Sequence, residues 1–403
     1  MEQEGDLRGG YTLWEASNGA SPHNGVLQEN IKTDVVIVGA GITGSFIAEK
    51  LSEHGRSVVV VDRNRPQMAS TAASTALLLW EIDKPLREVA LSLGTERAIE
   101  VYRASFSAVQ GIRKLVRDLG LDCDCVARPS LYLAGTEMGP SELADEHRIR
   151  ETAGFSGSLL DAREVGHGFG FTRPAALFYE GAAEVDPVAL ARGLMKVAVS
   201  RGTRLFSPAD VVGYDTGSAG VTVTLGDGHE IGARTLILAN GYDMPDFVPA
   251  DAHSIVSTWV VATAPAPALS WPGDAVVWEA SDPYLYLRRT AGARFIIGGE
   301  DEELTDADQR DGKIMAKMAA ILKKQRDLWP CFEGPAQFAW AGFFGTTDDG
   351  LPLIGPVPGH PNTYAAFGYG GNGITFSAIA ADLIANALGG RSNPLFESFA
   401  IDR

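Results

Sequence analysis

Two kinds of apolar pattern alternate along the chain, and together they predict an α/β protein. Continuous apolar runs, DVVIV from Asp34 and SVVVVD from Ser57, flank a segment in which Phe46, Ile47 and Leu51 share one helical face before Gly55. Runs with no polar alternation belong to strands covered on both faces, so this is a parallel βαβ unit. Residues 88–119 predict one long helix, because Ile99, Tyr102, Phe106, Val109, Ile112 and Val116 recur every three or four positions. A strand follows around Arg128–Gly135. The pair Asp186-Pro187 opens a helix over Pro187–Ser200 as a cap and first-turn residue. VTVTLGDGHEIGARTLILANG reads as a hairpin with a Gly-Asp-Gly turn that leads into an apolar strand. Further strands lie within residues 254–299, and a helix over about 306–328 begins acidic and ends basic, as its dipole favours. Near the end, Phe376, Ile379, Ala380, Leu383, Ile384 and Leu388 fall at helical spacing ahead of Gly389. Residues 1–31, rich in Gly, Asn, Ser and Glu, predict an irregular extension.

Composition narrows the class. A chain of 403 residues exceeds what one core usually serves, which implies two domains. The net charge of -17 repels phosphate backbones, so nucleic acid and anionic membranes are not expected as partners. Cys123, Cys125 and Cys331 have neither the number nor the spacing of a zinc site, so no metal is expected. They read as reduced thiols of a reducing compartment. The first residues have no basic and apolar signal pattern and no run approaches a membrane span, so a cytoplasmic protein without a transmembrane segment is expected.

Chemistry concentrates in two glycine-rich blocks. Gly39-Ala40-Gly41-Ile42-Thr43-Gly44 follows a buried strand, opens a helix and precedes an acid, Asp62, at the end of the next strand. Gly39 permits the tight turn, Gly41 lets a pyrophosphate approach the backbone, and Gly44 lets helix and strand pack closely. The helix N-terminus offers unpaired N–H groups to phosphates, and Asp62 can accept from ribose hydroxyls. This pattern reads as a dinucleotide site rather than a plain glycine turn in an α/β domain, and by itself it does not choose between NAD and FAD. After Asp62 comes a small, hydroxyl-rich loop with Ser70, Thr71, Ser74 and Thr75, suited either to lie against a flat ligand or to face solvent. The second block, GYGGNGITFS, brings Asn372-Gly373 to the start of the last long helix, another anion-favouring N-terminus or a plain glycine turn before a core helix.

These pieces resemble the FAD-dependent D-amino-acid oxidase and glycine oxidase superfamily. The matching stretches are VVIVGAGITG with Asp62, MASTAASTALL, TLILANG, WAGFFGTTDDGLPLIG, GYGGNGITFS and the terminal FAIDR, in the family's order from residue 33 to residue 403. The resemblance implies a discontinuous α/β FAD-binding Rossmann-type domain (residues 32–84, 150–250 and 332–403). It also implies an α+β substrate or cap domain with a mainly antiparallel sheet (85–149 and 251–331). It implies that Ile42 and Thr43 meet the pyrophosphate, that Asp62 and Arg63 hold the adenosine end, and that Val211 meets the adenine. Ser70, Ser74, Thr75 and Ala76 would line the path to the isoalloxazine. Gly371, Asn372, Gly373, Ile374 and Thr375 would bind its pyrimidine edge. Some relatives attach the flavin through a cysteine near the start of the WAG block. No cysteine lies beyond Cys331, so FAD is expected to be non-covalent.

The substrate side departs from the family. Relatives that oxidise amino acids clamp the carboxylate with an arginine at the position of Phe344, and phenylalanine cannot form that bidentate pair. Either another arginine supplies the charge, Arg288 or Arg289, or the substrate lacks the carboxylate. Tyr284 and Tyr286 alternate with leucines and so either face a pocket or pack in the sheet. Trp80 is a candidate pocket roof, with Glu81 and Asp83 beside it either drawing in an ammonium group or solvated. Phe343, next to Phe344 on one strand, is expected to be core. The resemblance is nearest to the amine-oxidising branch, such as gamma-glutamylputrescine oxidoreductases. The expectation is oxidation of an amine or amino acid to an imine, which hydrolyses to a carbonyl, with hydride passing to flavin N5 and no catalytic side chain assigned. O2 or an electron carrier would accept the electrons. The alternatives are a D-amino-acid dehydrogenase, an NAD(P)-dependent reductase, and a flavin-binding protein that has lost its substrate site. The exact substrate and the oligomeric state are not specified by the sequence.

Overall fold

The computed structural model describes residues 7–18, 25–243, 245, 247, 253–332 and 334–403. Two sheets organise it. The first, of eight strands, has the parallel βαβ unit at its centre: Ile31–Val38 pairs in parallel with Val58–Val61 on one side and with Glu230–Leu238 on the other. Thr363–Phe367 and Arg204–Phe206 extend it, also in parallel. Val36, Ile37 and Val58 to Val61 are almost wholly buried, as residues of strands covered on both faces should be. The helix Ile42–Glu53 covers one face together with Gly373–Leu388 and Pro187–Ser200. Asp186 caps the last of these, its carboxylate accepting from Val188 N and Ala189 N at 2.9 Å.

The second sheet has ten strands and is mainly antiparallel. Its centre runs Ala336–Thr346, Ser254–Thr263, Phe295–Glu302, Leu285–Arg289, Val276–Glu279. One face packs an aromatic core, including Trp259, Phe295 and Trp329, under the helix Ile314–Leu328. The opposite face meets the first domain. There Gly342 approaches the segment Ser70–Ala73 so closely that a Cβ would lie 2.7 Å from Ala73 Cβ, and Trp340 Nε1 donates to Ala73 O at 2.9 Å.

Sheet membership differs from the sequence reading in several places, among them Leu77–Leu78, which pairs with Ala175–Glu184 in the ten-stranded sheet. Gly157–Asp161 and Ala175–Glu184, assigned to the nucleotide domain, lie in the ten-stranded sheet. So does Ala336–Thr346, which the WAG block had attached to the same domain. The N-terminal stretch is not wholly irregular: Arg8–Tyr11 pairs along Ala336–Thr346, and Leu13–Asn18 is a helix whose Trp14 is buried. Pairing partners far apart in sequence decide each of these, and local pattern carries no information about them. The helix expected over 88–119 is two, Leu86–Leu93 and Thr95–Leu119, broken at Gly94 with φ +81°. No helix among the described residues is long and apolar enough to cross a membrane.

Candidate functional site

A cavity of about 680 Å³ runs between the two sheets, from Asp62 to the strands carrying Tyr284, Tyr286 and Phe344. At the Asp62 end the glycine loop is fixed by contacts a side chain would destroy. Gly39 has φ +104° and its Cβ would lie 2.3 Å from Ala239 O; at Gly44 a Cβ would lie 1.9 Å from Gly39 O. Asp62 braces the loop, accepting from Ala40 N at 2.7 Å and Asn64 N at 2.8 Å. Burial raises its pKa, and those two N–H groups and Arg63 oppose the rise. The helix Ile42–Glu53 begins at Gly41 with no side-chain cap. Ile42 N donates to Thr71 Oγ1 at 3.0 Å, and Thr43 Oγ1 pairs with Ser377 Oγ at 2.8 Å. Arg63 reaches Asp243 at 3.1 Å, and Val211 also lines this end.

At the other end a second helix N-terminus opens on the cavity. Asn372, at the start of Gly373–Leu388, turns its amide away to Glu81 O at 2.9 Å and leaves that helix uncapped. Asp83 accepts from Gly371 N at 2.7 Å and lines the cavity, and burial raises its pKa. Tyr242, Tyr284, Tyr286, Trp278 and Phe344 surround it. Burial pushes the three phenols well above their ordinary range, so they stay neutral. Phe344 is half-buried on the face it shares with Gly342, while Phe343 points the other way, under the Arg310 guanidinium at 4.2 Å.

Of the residues singled out in the sequence, the structure gathers Gly39, Gly41, Ile42, Thr43, Asp62, Arg63, Ser70, Ser74, Thr75, Ala76, Val211, Gly371, Asn372, Gly373 and Ile374 around this cavity. Gly44 lies behind it as a packing residue, and Thr375 Oγ1 is turned to Leu79 O at 3.0 Å. Tyr284, Tyr286 and Phe344 also line it.

Two substrate-side expectations need correction. Trp80 is no roof: it is fully buried, stacked on Phe155 at 4.5 Å, with Nε1 donating to Glu180 O. An apolar ring next to a cavity loop gains more by packing among aromatics than by facing a wet pocket. Arg288 is no carboxylate clamp. Its guanidinium is spent on Thr75 O at 2.6 Å, Val185 O at 2.9 Å and Glu184 at 3.2 Å. Arg289 pairs with Asp274 at 2.9 Å, and Glu81 is buried against Ser130 and Arg150. The sequence reading missed Thr258 and Asp301. Gly298-Gly299, two glycines inside an apolar strand, signal a bulge but not which side chain it re-aims.

The cavity fits FAD. Its two ends present uncapped helix N-termini, a glycine cradle that any Cβ would fill, and a carboxylate at the end of the second strand. Among the described residues no group of three His, Cys, Asp or Glu side chains could hold a metal ion.

Comparison with known proteins agrees. The pattern of the family described as FAD dependent oxidoreductase (DAO) matches residues 34–387. The Bacillus subtilis protein YhfW, named for a Rieske 2Fe-2S iron-sulfur centre, is 24% identical over 97% of this chain and 75% of its own length. Gamma-glutamylputrescine oxidoreductase of Escherichia coli is 25% identical over 93% of this chain and 87% of its own. The solved glycine oxidase of Geobacillus kaustophilus superposes with a TM-score of 0.76 at 21% identity, covering 92% of this chain and 99% of that one.

Proposed function

The chain belongs to the DAO family of FAD-dependent oxidoreductases, and from that premise we propose that it oxidises the C–N bond of an amine that has no carboxylate beside the reacting carbon. One observation carries this reading. The basic side chains that line the cavity among the described residues, Arg63 and Arg65, both lie in the loop after Asp62. The aromatic end offers a substrate carboxylate no guanidinium or ammonium partner, and it offers a cation the Asp83 carboxylate. A buried carboxylate left without a partner is expensive, so such a site discriminates against amino acids.

Bound FAD supplies the acceptor for the hydride that leaves the substrate carbon. The chain's own part is binding, orientation and exclusion of water. The phenols of Tyr284 and Tyr286 are neutral and can accept from substrate N–H groups; Phe344 and Trp278 give the hydrocarbon chain an apolar wall. Among the described residues that line the cavity none is a cysteine, which supports a flavin held without a thioether.

Anaerobic titration of the purified yellow protein tests the reading. Primary or secondary amines should bleach the visible flavin band, while glycine and D-amino acids should leave it intact. Bleaching by carboxylate-bearing amino acids alone would overturn it. The rate of colour return in air then separates an oxidase from a dehydrogenase that uses a carrier.

A further inference from the structure

The strand Phe295–Glu302 exchanges its faces partway along. Phe295 and Ile297 point into the core under the helix Ile314–Leu328. Gly298 faces the cavity side, where a Cβ would sit 2.3 Å from the Tyr286 ring. Regular alternation would then send Asp301 toward the helix, and Glu300 and Glu302 toward the cavity. The pairing slips instead. Trp259 faces Gly299 and Ser257 faces Glu302, so Thr258 alone opposes both Glu300 and Asp301. Gly299 at φ +141° and Glu300 at φ +61° carry this bulge.

The bulge redistributes charge. Glu300 and Glu302 receive the helix lysines: Lys324 at 2.5 Å on Glu300, Lys317 at 2.7 Å and Lys313 on Glu302. Asp301 is turned to the opposite face, toward Thr258, Tyr284 and Tyr286, three residues that line the cavity. Both its carboxylate oxygens are shut off from solvent, and among the described residues neither has a hydrogen-bond partner of full geometry. The hydroxyls of Thr258 and Tyr284 offset part of the cost of its charge. Bulges re-aim side chains beside active sites, and an uncompensated buried carboxylate asks for a reason.

We propose that Asp301, acting through the Tyr284 and Thr258 hydroxyls and with Asp83 nearby on the cavity wall, makes the aromatic end a receptor for a positive charge on the substrate other than the nitrogen being oxidised. The substrate class is then diamines and other basic amines with a second cationic group. This rests on the amine reading above. Hydroxyls that face a carboxylate orient their hydrogens toward it and their lone pairs away, where they can accept from an ammonium group, and the paired Tyr284 and Tyr286 rings, 5.6 Å apart, add a cation-attracting surface. The reacting nitrogen must give up its lone pair to form the imine. A site that stabilised a proton on that nitrogen would oppose the chemistry, so the charge it recognises lies elsewhere on the molecule. Asp301 is a positioning residue in this scheme.

Burial, with a contribution from the charge of Asp83, pushes Asp301 up to about 6. The charged and titratable groups facing it are Tyr284 and Tyr286, Asp83, and Lys317 from the helix. Cation binding should therefore weaken as pH falls through 6.

The test is binding to the FAD-loaded protein, followed by perturbation of the flavin band and by calorimetry. The probes are choline, whose quaternary nitrogen has no lone pair and so cannot form an imine, and its neutral isostere 3,3-dimethylbutan-1-ol. Choline should bind at least about tenfold tighter, losing about tenfold per pH unit below 6. Asp301→Asn should cut choline affinity about tenfold and flatten that pH profile, with the isostere and FAD content unaffected. Equal binding of the two probes overturns the proposal, as does a variant with the wild-type affinity and pH profile. If Asp301→Asn does not fold, Tyr284→Phe and the wild-type pH profile decide in the same way. Amine reduction of the wild-type flavin is scored separately. If no amine reduces it while choline binding keeps its Asp301 dependence, the amine reading falls and the cation site stands. If amines reduce it and the probes bind alike, the reverse holds.

Discussion

The two ends of the cavity are built by opposite strategies. The Asp62 end comes from one short stretch of chain: strand, glycine turn, helix and next strand lie within residues 31–62, and its cations, Arg63 and Arg65, follow at once. The aromatic end is assembled from separate pieces, with Asp83, Tyr242, Thr258, Tyr284 and Tyr286, Asp301 and Phe344 arriving on six different segments. The first end offers phosphate a helix N-terminus and the two arginines, while the second is acidic and suited to a cation. Backbone shape does the work at the first, through glycines that cannot accept a Cβ. Side-chain charge and a register slip do it at the second. Cofactor binding and substrate choice should accordingly respond to different substitutions.

Arg288 belongs to neither end, and replacing it gives the largest effect. Arg288→Met leaves Glu184 with Arg128 as its remaining partner and strips Thr75 O and Val185 O of theirs, which should together cost about 3–5 kcal/mol of stability by denaturant melts. Folded enzyme that remains should keep its preference between amines and amino acids. A change of substrate preference without loss of stability would return Arg288 to the cavity.

Gly44→Ala attacks the Asp62 end alone. Its Cβ would meet Gly39 O at 1.9 Å, so the loop must move, at about 2–3 kcal/mol. FAD retention through gel filtration should fall accordingly, and an unaltered flavin-to-protein ratio would show that the loop tolerates displacement. Asp62→Asn replaces one of the two oxygens that accept from Ala40 N and Asn64 N with a donor, removes the charge, and should weaken FAD by about tenfold, read by flavin fluorescence on dilution. Both variants should leave the choline preference of the reloaded protein intact.

The smallest effect has the opposite sign. A carboxyl whose pKa is higher folded than unfolded destabilises the protein once it ionises, so stability falls as pH rises from about 4 through 6. Asp301→Asn should therefore raise the melting temperature at pH 7 by a few degrees at most, with the gain vanishing toward pH 4. A residue that lowers stability at the aromatic end and supports cation binding is what a functional charge requires. Equal destabilisation by the variant at both pH values would mark Asp301 as structural.

The same contrast explains what could be read from the sequence. Ile31–Val38, the glycine loop and Asp62 were legible because local pattern and local geometry coincide there. So was the helix Pro187–Ser200, with its cap at Asp186. Phe344 was legible as the odd residue in a family-like strand, and it does line the cavity. Trp80 and Arg288 misled because proximity along the chain to cavity residues says nothing about which way a side chain turns. Asp301 was hidden because a one-residue slip against Ser254–Thr263 reverses its face, and register is a property of two strands.

The central claim is that the aromatic end reads positive charge and, among the described residues, offers no basic group to a carboxylate. Anaerobic reduction of the FAD-loaded enzyme by 1,5-diaminopentane and by 5-aminopentanoate tests it most directly, since the two share a chain and a reacting amine and differ in the charge at the far end. The diamine should reduce the flavin at least about tenfold faster at equal subsaturating concentration. Equal rates, or faster reduction by 5-aminopentanoate, would contradict the account.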